Sequence, residues 1–241
     1  MNRDGQFAYL CNACGRCCHD KVITLAPYDV LRVARAAGLS TGDAVRRYTI
    51  RRGSLLRFRD DGACIALDGN RCSIHTGRPL ACRLYPLGLE RNEGGEGFVR
   101  LEPASGSLGR YSADGNVAEF LSTQNVEPHL EANDRYRGLI TMMRNRIAEL
   151  VDFERVEPRE FRRRAIREAL AESSYDPNLL IDALFDADCA GPERDIDVHV
   201  RLVADMIRRE TDADQIAAAA VLLAVSLGYL PDEAFDDGSV E

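Results

Sequence analysis

The chain has 241 residues, 45% of them hydrophobic, enough for one large domain or two small ones with an apolar core. Its net charge of −8 excludes a general electrostatic attraction to nucleic acid. Its 8 cysteines fall well below the roughly 8–10% of a short disulfide scaffold. The N-terminal MNRDGQFAYL carries an early Asp and lacks the apolar run of a signal peptide, so a cytoplasmic setting with reduced thiols is expected.

Along the chain, the first feature is chemical. Cys11, Cys14, Cys17 and Cys18 lie in CNACGRCC, where each Cys-x-x-Cys step lets two thiolates converge across a tight turn and Gly15 frees the backbone to curl. Cys64, Cys72 and Cys82 follow after a spacer. Seven thiols exceed what one four-coordinate ion needs, which points to metal ligation ahead of disulfides or unrelated buried thiols. Two centres, or one centre with spare ligands, both remain open. Adjacent side chains of an extended backbone point apart, so Cys17 and Cys18 are expected to serve different centres or separate atoms of one cluster. The opening spacing also matches the C-x2-C-x2-C start of ferredoxin-type sites, although the x3-C-P continuation is missing. The choice between an iron–sulfur cluster and zinc therefore stays open, with the cluster preferred. His19 and His75 lie inside this region as further donors or as neighbours of donors. Arg16, Arg71, Arg78 and Arg83 crowd it, either as counter-charge to thiolates or as ordinary surface arginines.

Between the two cysteine groups, Pro27 opens a helix over Tyr28–Ala37 that Gly38 ends, and a second helix is expected over Thr41–Tyr48. Leu55–Arg59 and Cys64–Leu67 read as a small hairpin around Asp61-Gly62, with another turn at Asp68-Gly69. Leu84–Arg91 and Phe98–Leu101 are expected to pair across the glycine-rich loop 92–97, which lacks the following amphipathic helix of a phosphate loop. A Gly/Ser/Pro-rich piece at 102–107 suggests a boundary, giving a metal-binding module over 1–102 and a helical domain over 103–241 packed on it. Helices are then expected at Arg135–Val151, Pro158–Leu170, Pro177–Ala187, Asp195–Arg209 and Ala213–Leu230. Leu139, Ile140, Met143, Ile147 and Leu150 share one face of the first of these, with Met142 and Met143 read as core. Arg162–Arg164 with Arg159 and Arg167 read as a solvated face, and His129 and His199 as solvent or core histidines. The longest uncharged stretch, Ile216–Leu230, is too short to span a bilayer. The fold class is mainly α: a cysteine-rich module with short β-hairpins, then a helical bundle.

The motif Cys11-x-x-Cys14-x-x-Cys17-Cys18, then Cys64, Cys72-Ser-Ile-His75, Arg78-Pro79, Cys82-Arg83 and Tyr85-Pro86, resembles the YkgJ or CxxCxxCC family of zinc- or iron-chelating cysteine-cluster proteins over about residues 8–90. His75 stands where the family usually has Tyr. The resemblance implies metal or iron–sulfur binding, with a [4Fe-4S] cluster or zinc as cofactor, for electron transfer, sensing or metal delivery toward a protein partner. Cys189-Ala190-Gly191 resembles a late C-x-G element of longer members, so Cys189 is expected to fold back as an eighth sulfur. Some proteins with this pattern resemble flagellin lysine N-methylases, which implies S-adenosylmethionine and a protein substrate. The chain lacks a Gly-rich nucleotide loop and the C-x3-C-x2-C radical spacing, and this places the enzyme reading behind a binding protein. A structural zinc module for protein interaction is the third reading.

Overall fold

A computed structural model describes residues 1–92, 95–171 and 192–229. Helices dominate, and the strands form two-stranded antiparallel pairs in the N-terminal half. The first helix, α1 (Pro27–Ala37), has Pro in its first turn and Gly38 at φ 66° as its C-terminal cap, the expected start and stop chemistry. Helix α2 (Thr41–Tyr48) is capped by the Ser40 hydroxyl, which accepts from the Asp43 amide. Helix α1 is buried on two faces. Val30, Val33 and Ala34 pack into one core with Tyr48, Leu56, Leu67 and Ile74, while Tyr28 and Leu31 enter a second with Tyr136, Leu139 and Met143. Each large side chain so buried contributes about 1.5–3 kcal/mol. The two-faced helix thus holds the cysteine region against the bundle.

The expected hairpin at 55–67 is shorter than the sequence pattern suggests. Strand β2 (Thr49–Ile50) takes β3 (Leu55–Leu56) as its partner, and only a single bridge joins Phe58 to Cys64. A second pair follows, β4 (Leu67–Asp68) with β5 (Arg71–Cys72), which puts Cys72 on a strand. Leu84 belongs to a short helix, α3 (Leu80–Leu84), so the next hairpin begins later, with β6 (Leu87–Asn92) against β7 (Gly95–Arg100). The segment after the Gly/Ser/Pro-rich piece forms β8 (Arg110–Asn116), which returns to pair with β1 (Gln6–Leu10). Phe7, Leu84, Leu87 and Phe98 share a core with Val117, Phe120, Leu121 and Leu130, so apolar packing runs across residue 102.

The remaining described helices are α4 (Val117–Thr123), α5 (Glu127–Leu150), α6 (Pro158–Ala171), α7 (Pro192–Arg209) and α8 (Ala213–Ser226). Helix α5 starts earlier than the apolar periodicity alone suggests because Pro128 sits in its first turn. Met143 is fully buried, and Met142 packs against the same core. His199 bonds the Tyr136 hydroxyl in the interior. The arginine run on α6 is largely exposed, with Arg164 paired to Asp214. Among the described residues no helix is long and apolar enough to cross a membrane. The helix expected at Pro177–Ala187, and Cys189 with its expected closure, lie outside the described residues.

Candidate metal centre

The first cysteine group leaves β1 and turns at Gly15, whose φ of 72° lies in the left-handed region that glycine adopts without strain. The chain then enters a 3-10 turn, Arg16–Cys18, in which the Cys18 amide donates to the Gly15 carbonyl at 3.0 Å. The turn changes the expected divergence of Cys17 and Cys18. In place of opposite directions on an extended strand, their sulfurs lie 4.0 Å apart.

The second group is tied directly to the first. The Cys64 amide donates to the Cys18 carbonyl at 2.8 Å, and the Asp20 amide to the Gly62 carbonyl at 2.8 Å. Closing the long spacer carries only a logarithmic entropy cost, and α1 and α2 fill it with packed structure. Cys72 comes from β5. Cys82 comes from α3, whose first amide, on Leu80, donates to the buried carboxylate of Asp29 at 2.9 Å. Gly77 permits the approach of this segment to α1: a Cβ there would sit 2.0 Å from the Arg32 carbonyl oxygen.

All seven cysteines of the first third, Cys11, Cys14, Cys17, Cys18, Cys64, Cys72 and Cys82, line one cavity of about 570 Å³. Its lining contains no Asp or Glu, while Lys21, Arg71 and Arg78 contribute positive charge. Thiolate donors without carboxylates suit soft or borderline metals, zinc and iron–sulfur centres above all, and are unsuited to calcium or magnesium. Among the described residues no three Cys, His, Asp or Glu side chains are already grouped tightly enough to hold one ion, so binding requires sulfurs around the cavity to close inward.

The thiols are not equivalent. Cys82 is enclosed by protein atoms yet keeps part of its surface on the cavity. Burial pushes its pKa up, and the facing Cys64 and Cys72 add to the effect. Burial also raises Cys64 and Cys72. In the adjacent pair, the hydrogen bond between the thiols splits the two: Cys17 falls to about 6, with Lys21 and His19 assisting, and Cys18 rises. Cys14, at the rim, is lowered by the backbone of Leu108 and Arg16. Cys11 is exposed, its sulfur accepting from the Ala13 amide at 3.4 Å.

These directions fix a pH dependence for the metal-free protein. Cys18, Cys64, Cys72 and Cys82 have folded-state pKa values raised above the unfolded value of 9.0. Their contribution is complete below about pH 9 and is lost as pH rises, because the unfolded chain releases these protons first. Cys14 and Cys17, whose folded-state values are lowered, oppose this loss until the unfolded chain has released their protons about one pH unit above 9.0, and add no slope beyond. Denaturant melts of metal-free protein should therefore lose stability as pH rises above that point, with the enclosed Cys82 alone contributing up to about 1.4 kcal/mol per pH unit and the partly exposed thiols less. A flat profile between pH 9 and 11 would contradict the burial of this set.

Of the two histidines, His75 lines the cavity and His19 does not; its Nδ1 lies 3.1 Å from the Gly15 carbonyl oxygen. Of the arginines, Arg71 and Arg78 line the cavity, whereas Arg83 is buried behind it, donating to the carbonyls of Thr76, Arg78 and Gln124. Sequence reasoning missed Tyr9, Ser107 and Gln124 in the lining. Nothing in the local pattern marks Gln124, one of four consecutive polar residues, Ser122–Asn125, at the end of α4.

Residues 10–99 match the CxxCxxCC family model, described as "Putative zinc- or iron-chelating domain". The match covers less than half of the chain and spans all seven cavity cysteines. No curated protein and no solved structure matches the chain.

Proposed function

We propose that four of the seven clustered cysteines hold an iron–sulfur cluster, of the [4Fe-4S] class, with the others as spare thiols around it, and that the protein uses it for electron transfer or sensing with a protein partner. The observation that carries this reading is the convergence of seven thiols on one carboxylate-free cavity much larger than a single ion. Lys21, Arg71 and Arg78 supply positive charge where a thiolate-ligated centre is net negative. Cys11, Leu10 and Leu108 are exposed beside the cavity, which suits contact with a partner. The cluster would supply one-electron chemistry; the chain's own residues ligate it, balance its charge and limit its contact with water. Iron and acid-labile sulfide in anaerobically purified protein, with a visible absorption band that bleaches on reduction, are the expected result. Zinc without sulfide and without redox activity would reject this reading.

Zinc is the second reading, favoured by one distance. In a tetrahedral site with Zn–S bonds of about 2.3 Å, neighbouring sulfurs lie about 3.8 Å apart, close to the 4.0 Å between Cys17 and Cys18. In that case the site would serve structure or metal delivery, since zinc is redox-inert.

A further inference from the structure

Charge balance at the metal centre accounts for a cation on the wall of the same cavity, but it does not require the fixed orientation that Arg78 has there. Arg78 is half-buried on its wall, and no acidic side chain among the described residues pairs with it. Its Nη1 donates to the His75 carbonyl at 2.9 Å and lies 3.3 Å from His75 Nδ1, and its Nη2 donates to Gln124 Oε1 at 2.6 Å. These contacts hold the guanidinium in place, and Nε makes no hydrogen bond among the described residues. A fixed guanidinium edge of this kind matches a planar oxyanion bidentately. The rest of the lining is apolar in large part, with Ile23, Leu56, Phe58 and Ile74 on the wall. At about 570 Å³, the cavity is within the size range of small-molecule sites, which combine apolar walls with a few placed polar groups.

We propose that the cavity binds a small organic carboxylate beside the cysteines, its carboxylate held by the Arg78 edge and its apolar body covered by the aliphatic and aromatic wall. A carboxylate is favoured over a neutral ligand because a guanidinium edge engages an oxyanion through two N–H groups at once, and no Asp or Glu lines the cavity to take that place. It is favoured over a bare inorganic anion because most of the wall would then face unfilled apolar space.

The test is calorimetric titration of the full-length, metal-loaded protein with benzoate, acetate and inorganic phosphate, repeated on Arg78→Gln and Arg78→Lys. Metal content and thermal midpoint are measured on each protein, so that a misfolded variant is recognised. Benzoate should bind saturably and more tightly than acetate or phosphate. Arg78→Gln should weaken it at least about tenfold, the loss expected of a charge-assisted hydrogen bond, and Arg78→Lys, which keeps the charge without the fork, should recover only part. No saturable benzoate binding, equal binding by Arg78→Gln, or phosphate binding as tight as benzoate would each overturn the proposal. So would an Arg78→Gln protein that loses metal while its loaded fraction binds benzoate normally, because Arg78 would then be a counter-charge to thiolates alone. If the wild-type protein held no metal yet bound benzoate through Arg78, the metal reading would fail and this site would stand.

Discussion

Replacing Cys82 or Cys17 by serine is expected to lower metal affinity by over a hundredfold, whereas Cys11→Ser should cost less than about tenfold. Apparent binding energies of roughly 10–16 kcal/mol for a structural four-ligand site put about 3 kcal/mol on each ligand, which is roughly a hundredfold in affinity. Cys82 is enclosed and faces Cys64 and Cys72, and Cys17 is half-buried against Cys18. Cys11 stands exposed at the rim, where a ligand can yield its place to water at little cost. Competition against a chromogenic chelator gives the affinities. An inverted order, with Cys11 the most damaging, would mean that the centre sits at the mouth of the cavity and not within it.

Asp29→Ala should destabilise the fold by about 3–5 kcal/mol, the cost of breaking a buried charged network from one side. Asp29 is 3% exposed. One carboxylate oxygen accepts from the Ala26 amide at 3.0 Å; the other accepts from the Leu80 amide at 2.9 Å and lies 2.7 Å from His129 Nδ1. The side chain thus joins the start of α1, the start of the helix that carries Cys82, and the long helix α5. Its loss strands two buried N–H groups and an imidazole that is itself 2% exposed. At about 2–4 °C per kcal/mol for a chain of this size, thermal unfolding should fall by roughly 6–20 °C. Metal affinity should fall with it, because Cys82 loses its anchor. A melting point within about 2 °C of wild type would contradict the role of Asp29 as a structural hub.

The clustering of the cysteines was legible because thiol spacing is a local property, and α1 was legible because Pro27 and Gly38 mark its ends locally. What the sequence hid is mostly non-local. Strand β8, RYSADGN, shows no regular apolar alternation, and it is a strand because β1 pairs with it. Asp29 and His129 are a hundred positions apart, so neither announces the other. The Cys17–Cys18 spacing turned on the backbone: a left-handed Gly15 and the following 3-10 turn bring together side chains that an extended segment would separate. The burial of Arg83 and the place of Arg78 on the cavity wall were likewise unreadable, since both depend on carbonyls and amides from α4 and the turn before α3.

We propose that the clustered cysteines form one metal centre. Alkylation mapped by mass spectrometry, on anaerobically purified full-length protein before and after metal removal, tests it most directly. Cys17, Cys18, Cys64, Cys72 and Cys82 should resist modification together while metal is bound and become reactive together once it is removed. Equal modification of these five in both states, or protection of one group without the other, would contradict a single centre built from both halves of the cysteine motif.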